Sequence, residues 1–198
     1  MMHAENIIHP NTINLLLSIL MGLGLSASCG FRIFAPFLVM GIAAQTGYLT
    51  LSPTFLWVAD TYAIITFGIA TVVEIGAYYI PWLDNMLDAI ATPTAAIAGT
   101  LATASVAPEM SPLLQWTIAA IGGGGISTGI KIGAATIRSA STLTTAGTGN
   151  FFVSTAETSG SVSVSVLVIL MPIISLVLLA GLSYFFYKAY RRLRQNIS

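Results

Sequence analysis

The sequence predicts an all-α, polytopic membrane protein with two broken or re-entrant helical segments. Hydrophobic residues make up 56% of the 198-residue chain and charged residues only 7%, whereas soluble domains carry about 25% charged residues. Four long apolar runs recur along the chain, at residues 13–46, 54–80, 113–147 and 161–187. The first and the third are too long for one membrane span, and both contain glycine or proline, which can interrupt a helix. The mismatch between their length and the thickness of a membrane predicts a break in each.

The first run would form a helix about 51 Å long at 1.5 Å per residue, whereas the hydrocarbon core of a bilayer is about 30 Å thick. Gly30 and Pro36 can interrupt a helix, and Arg32 lies between them. We therefore predict a break between Ser26 and Pro36, inside the membrane. The residues before Arg32 include no Lys or Arg, so we expect no cleaved signal peptide.

Carboxylates follow the first broken segment. Glu74 lies well inside the second apolar run, and Asp84 and Asp88 are four residues apart on one face of a predicted short helix. Pro93 is expected to separate that helix from the next one, at residues 94–106. A metal site on Asp84 and Asp88 is not adopted, because such helical carboxylates are more often solvated or paired with a basic residue.

The third apolar run, residues 113–147, organises the chain. Four consecutive glycines begin at Gly122, and we predict a second break between Gly122 and Ser127. The same run carries Lys131 and Arg138. A charge at membrane depth costs roughly 2.5 kcal/mol or more, so it normally has a partner or a function.

A helix in this run would have two distinct faces, because residues three, four and seven apart stack on one side. The polar face would present cations and hydroxyls, from Ser127, Lys131, Arg138, Thr142 and Thr145. The smooth face would let another helix approach closely in the membrane, through Gly125, Gly129 and Gly133.

Two hypotheses of different classes follow. In the first, the protein is a transporter or flippase for a small anion or an anionic, phosphate-bearing lipid headgroup. The substrate-binding residues would be Arg32, Ser127, Lys131, Arg138 and Thr142, since guanidinium groups suit phosphate and carboxylate. Coupling or charge pairing would fall to Glu74, Asp84 and Asp88. In the second, the protein is a non-transporting scaffold or lipid-binding protein, and the same charges neutralise one another.

Under either hypothesis, at least one of the three cations should lie within ion-pair distance of one of these carboxylates.

We expect no enzyme, because both histidines, His3 and His9, lie in the N-terminal tail and no nucleophile–base set is visible. No cofactor or metal is expected, and the single Cys29 excludes a cysteine-based zinc site. Membrane lipids are the expected partners, with a small anion and a homo-oligomer left open. A net charge of zero argues against nucleic acid.

The chain divides into a polar N-terminal tail (1–11), one membrane domain (12–190) and a basic tail (191–198). Within the membrane domain we distinguish two halves, 12–82 and 112–190, and a connector, 83–111. The halves resemble an inverted repeat, since Gly22-Leu23-Gly24-Leu25-Ser26 matches Gly123-Gly124-Gly125-Ile126-Ser127 in pattern. Residues 148–160 are predicted to be a polar loop, followed by a last span bent at Pro172. Four of the seven basic residues lie in the last eleven positions, so we expect the C-terminus to be cytoplasmic.

Three strings carry a resemblance to a known family: GLGLSASCGFRIFAPFLVMGIA, EIGAYYIPWLDNMLDAIATP and GIKIGAATIRSASTLTTAGTGN. The chain resembles, over residues 16–192, the bacterial membrane-protein family called domain of unknown function family 4126. The resemblance implies a bacterial inner-membrane location and no established activity. The chain departs from the family pattern at Phe151, where proline is usual, and at Thr158, where a second acidic residue is usual. A looser likeness, to families with paired re-entrant helices that move phosphate-bearing lipids, is one of fold alone.

Overall fold

The computed structural model describes residues 10–106, 110–145 and 148–181, together with positions 184 and 188. At residues 10–11, 81–85 and 88–89 it describes the backbone alone. All regular structure in this part of the chain is helical. The elements are α1 (Pro10–Phe31), α2 (Phe34–Gln45), a 3-10 helix (Pro53–Ala59), α3 (Thr61–Ala77), α4 (Pro81–Ser105), α5 (Pro112–Ile118), a π-helix (Ala119–Gly124), α6 (Gly125–Thr145) and α7 (Asn150–Leu170).

The first apolar run breaks between α1 and α2, beside Arg32, as predicted. The backbone N–H of Ser52 donates to the carbonyl oxygen of Ser105 at 2.7 Å. The hydroxyl of Thr103, two residues earlier on α4, donates to the carbonyl oxygen of Gly22 at 3.0 Å. The chain after α2 has therefore returned to the level of the middle of α1. The first segment therefore consists of two helices, and the chain reverses its direction at the break between them.

The prediction of a second break, between Gly122 and Ser127, is wrong. α5, the π-helix and α6 follow one another without a non-helical residue, so one helix runs from Pro112 to Thr145. The glycines change its hydrogen-bonding pattern, and the helix widens to π geometry from Ala119 to Gly124. Such π-helical turns inside an α-helix are frequent at functional sites. Because only one of the two segments is interrupted, the inverted repeat stays a prediction.

The glycines do not end this helix. They instead let it pack closely against α1 and α4. A Cβ built on Gly123 would lie 2.5 Å from the carbonyl oxygen of Gly99, and one on Gly122 would lie 2.8 Å from a methyl carbon of Leu23. Gly125, predicted to pack, would place its Cβ in open space within the chain. Gly125 itself therefore makes no close contact, although its neighbours on the helix do. The predicted packing roles of Gly129 and Gly133 remain predictions.

Two further boundaries differ from the sequence prediction. α4 continues through Pro93 as one helix from Pro81 to Ser105, and this helix packs against α1 and α6. The predicted polar loop at residues 148–160 is mostly the start of α7. Its hydroxyl groups are satisfied inside the helix, since Thr155 and Thr158 donate to the carbonyl oxygens four residues earlier, at 2.8 and 2.9 Å. A polar composition therefore does not prevent a helix here.

Within the described residues, three helices are long and apolar enough to cross a membrane: Thr12–Phe31, Pro112–Thr145 and Asn150–Leu170. The 3-10 helix and α3 form a further apolar pair, bent by 65° at Asp60. After α7 the chain is non-helical at residues 171–173 and helical again from residue 174, which agrees with the predicted bend at Pro172. The chain is a multi-helix membrane protein.

The close approach at Gly123 gives a prediction about stability. Gly123→Ala should lower the free energy of unfolding by about 1–3 kcal/mol, because the added methyl overlaps a backbone carbonyl that cannot move freely. Gly125→Ala is the matched control, since the same methyl there meets open space. The measurement is the thermal unfolding midpoint of both variants in one detergent. Equal midpoints would show that the α4 contact is not tight.

Candidate functional site: three cations around Tyr78

Three buried cations converge on one aromatic ring. The guanidinium carbons of Arg32 and Arg138 lie 4.2 and 4.3 Å from the centre of the Tyr78 ring, and the ammonium of Lys131 lies 4.9 Å from it. Arg32 is 0% exposed, and Lys131 and Arg138 are each 2% exposed. Cations within about 6 Å of an aromatic centre are attracted by the electron density of the ring. These four residues are called the cation cluster below.

The local structure of the chain explains the position of each member of the cluster. Arg32 lies at the break between α1 and α2, and Tyr78 directly follows α3. Lys131 and Arg138 are seven residues apart on α6, which is close to two turns and places both on one face. The ammonium of Lys131 also donates a hydrogen bond to the Tyr78 hydroxyl at 2.9 Å. Of the polar face predicted for this helix, Ser127, Lys131 and Arg138 are directed inward, whereas Thr142 and Thr145 are exposed.

Glu157 on α7 supplies a carboxylate that the sequence analysis missed. Arg138 Nη2 donates a hydrogen bond to Glu157 Oε2, and Arg32 Nη2 lies 3.8 Å from the same oxygen. The sequence does contain a signal for this inward face. Buried small residues recur on α7 at Ser154, Ser161 and Ser165, a helical spacing that puts Glu157 on the same side. The prediction of a polar loop at residues 148–160 conceals this signal, because helical spacing has no meaning in a loop.

Arg32 is held mainly by α7. Its Nε donates to Thr158 Oγ1 at 3.0 Å, and its Nη2 donates to the carbonyl oxygen and the hydroxyl of Ser154 at 2.9 and 2.5 Å. Its Nη1 is buried and has no hydrogen-bond partner among the described residues, and the same is true of Glu157 Oε1. An unsatisfied buried donor on a charged group costs several kcal/mol unless something else binds it.

Glu74 contacts the backbone rather than a cation among the described residues, and its predicted coupling or charge-pairing role stays a prediction. Its two oxygens accept hydrogen bonds from the backbone N–H groups of Ile33 and Phe34, at 2.9 and 3.1 Å. These N–H groups lie at the start of α2, where the first turn of a helix leaves its donors without intrahelical partners and carries partial positive charge. Among the described residues Glu74 makes no ion pair. The carboxylate instead fixes the break between α1 and α2.

The remaining predicted site residues lie around the cluster rather than in it. Ser127 is buried, and its hydroxyl donates to the carbonyl oxygens of Ala95 and Gly124, so it joins α6 to α4. Thr142 is exposed and accepts a hydrogen bond from the Asn150 amide at 2.8 Å. Their substrate-binding roles stay predictions. Asp84 and Asp88 lie on α4, but their side chains fall outside the described part of the chain.

The cluster has the chemistry of an anion site. Two guanidinium groups and one ammonium present many donors, and guanidinium binds phosphate or carboxylate through paired hydrogen bonds. Among the described residues, no group of three or more His, Cys, Asp or Glu side chains could hold a metal ion.

The pairing of Glu157 gives a second prediction. Glu157→Gln should destabilise the protein by about 3–5 kcal/mol, because it leaves buried arginines without this carboxylate. Asp60→Asn is the control, since Asp60 is exposed and an asparagine can still accept from the N–H of Tyr62. Adding Arg138→Gln to Glu157→Gln should restore part of the lost stability. The free energy of unfolding is measured by chemical unfolding of wild type, Glu157→Gln, Arg138→Gln, the double variant and Asp60→Asn. Additive losses in the double variant would mean that the two side chains are not coupled.

Comparison with known proteins identifies the family but no activity. No curated protein matches the chain, and no solved structure matches it. The model of the family described as domain of unknown function (DUF4126) matches residues 19–192, which include the break at Arg32 and every member of the cation cluster. The resemblance in the sequence is therefore confirmed, and the chain belongs to the DUF4126 family.

Proposed function

We propose that this protein binds an anion at the cation cluster and moves it across the membrane. It would act as a transporter or flippase for a small anion or for an anionic, phosphate-bearing lipid headgroup. The observation that carries this proposal is the convergence of three buried cations on Tyr78. The buried Nη1 of Arg32, which has no partner among the described residues, is a donor that an anion would satisfy.

The surroundings of the cluster support movement of a ligand. Arg32 lies at a helix break, and irregular backbone at membrane depth is tolerated where it is buried in protein or lines a cavity. In many transporters, broken helices of this kind form the binding site. Glu157, which bonds to Arg138, would exchange this contact for a bound anion. The coupling roles of Asp84 and Asp88 remain part of the proposal.

One observation favours the alternative, a scaffold or lipid-binding protein that transports nothing. Arg32 and Arg138 already contact the carboxylate of Glu157, and Arg32 also donates to Ser154 and Thr158. In that case these contacts would hold α1, α6 and α7 together permanently. The alternative predicts that neutralising a cation reduces stability before it reduces anything else.

The expected location is the inner membrane of a bacterium, with the C-terminus in the cytoplasm. The basic residues near the C-terminus support this orientation through the positive-inside rule. We make no proposal about a homo-oligomer. We propose neither an enzymatic reaction nor a nucleic-acid partner.

Transport should depend on the charge of the cluster. Arg138→Gln and Lys131→Gln should each reduce transport to background, because the charge is lost while a polar group of similar length remains. Lys188→Gln is the matched control, since Lys188 is exposed and faces the ring of Tyr184 outside the cluster, at 5.9 Å. The assays are uptake of radioactive phosphate and flipping of a fluorescent phosphatidylglycerol in proteoliposomes. Arg138→Lys should retain little activity if the planar guanidinium binds a phosphate.

The two functions give different outcomes in this experiment. Folded Arg138→Gln and Lys131→Gln variants that have lost transport support the transporter. Loss of folding in these variants, with rescue by a simultaneous Glu157→Gln, supports the scaffold. Folded variants with unchanged transport, or a wild-type protein that moves neither probe, would overturn the proposed transport.

A further inference from the structure

We propose that the groove between α3 and α4 binds an acyl chain of an anionic phospholipid whose phosphate is held by the cation cluster. This inference rests on the proposed anion site and names its ligand. It commits to a membrane lipid rather than to a free anion. The argument uses the shape of the groove, its position beside the cluster, and its charge.

The groove has the shape of a channel along two helices. Its volume is about 470 Å³, within the range of about 300–1,000 Å³ that is usual for ligand pockets. Its α3 wall and its α4 wall each use residues three or four apart, so each wall is a single helix face. The wall residues on α3 are Thr66, Ile69, Ala70, Val73, Glu74 and Ala77, and those on α4 are Leu87, Ile90, Ala91 and Thr94.

The length and chemistry of the groove suit one acyl chain. From Thr66 to Tyr78 the wall rises about 18 Å at 1.5 Å per residue, and one leaflet of the hydrocarbon core is about 15 Å thick. The lining is mainly aliphatic, and Val73 and Ile90 on opposite walls are 63% and 61% exposed. Since the chain is a membrane protein, such apolar side chains at an open groove face lipid.

Tyr78 joins the groove to the cation cluster. The residue lines the groove and is 4% exposed, and its ring contacts all three cations. The charged residue in the described lining is Glu74, whose two oxygens are already bonded to backbone N–H groups at the start of α2. A lipid with its chain along α3 would therefore bring its phosphate to Tyr78, the lining residue whose ring contacts Arg32, Lys131 and Arg138.

The cluster favours an anionic lipid over a zwitterionic one. Both kinds of lipid carry a phosphate, but the ammonium of a choline headgroup would be repelled by three nearby cations. Phosphatidylglycerol has no such group. Arg32 Nη1, buried and without a partner among the described residues, is a donor available to a phosphate oxygen.

The test is native mass spectrometry of the full chain with defined lipids. The purified protein receives palmitoyl-oleoyl phosphatidylglycerol, palmitoyl-oleoyl phosphatidylcholine or inorganic phosphate, and the bound fraction is measured. Wild type should retain phosphatidylglycerol about tenfold better than phosphatidylcholine, which corresponds to 1.4 kcal/mol. Val73→Trp, which fills the groove, should lower this retention about tenfold. Val72→Trp is the matched control, because Val72 is the adjacent residue, is 70% exposed and lies outside the lining.

A second pair of variants, on α4, controls for the case in which Val73→Trp fails to fold. Ile90 and Ile97 are both on α4 and both 61% exposed, but only Ile90 belongs to the lining of this groove. Ile90→Trp should lose phosphatidylglycerol and Ile97→Trp should retain it. Arg138→Gln should bind the two lipids equally.

The outcomes separate this inference from the proposed function. Equal retention of both lipids by wild type, or unchanged retention in both groove variants, would overturn the lipid site. Uptake of inorganic phosphate that depends on Arg138 but not on the groove would leave anion transport standing and remove the lipid. Groove-dependent binding without flipping would support the lipid site and count against transport.

Discussion

The burial of three cations is the constraint on which the rest of this structure depends. A buried charge without compensation is strongly destabilising, so the fold must bring ring, hydroxyl and carboxylate groups to Arg32, Lys131 and Arg138. Tyr78, directly after α3, and Glu157, on α7, do this. α3 must therefore end at the cluster, and α7 must begin beside it. The break between α1 and α2 serves the same constraint, since it lets Arg32 enter the interior at the end of α1.

The glycines allow the long helix that carries Lys131 and Arg138 to pack closely against its neighbours. α6 can direct its cations inward only if it lies close to α1 and α4. A Cβ on Gly30 would lie 2.7 Å from the carbonyl oxygen of Ser127, and one on Gly123 would lie 2.5 Å from that of Gly99. Small residues let membrane helices approach so closely. Packing and charge thus occupy successive parts of one helix, with the glycines at its start and Lys131 and Arg138 beyond them.

The sequence predicted the features that length and charge make visible. The three cations and the break at Arg32 follow from apolar runs that are too long and from charges at membrane depth. It did not predict Glu157, because residues 148–160 are rich in hydroxyl groups, and only the folded helix shows that these groups bond to its own backbone. The glycine run failed as a breaker for a related reason. Whether glycine ends a helix or packs it depends on the neighbouring helix, which a single sequence does not show.

Glu74 connects the break to the groove. Its carboxylate on α3 holds the first N–H groups of α2, and Phe37 of α2 stacks on Phe67 of α3 with ring centres 5.5 Å apart. α2 and α3 therefore form one unit, whereas α4 packs on α1 and α6. The groove lies between these two units, and Tyr78 lies in the short connection from α3 to α4. A molecule in the groove would contact the residue that also contacts all three cations, so the groove and the cluster meet at Tyr78.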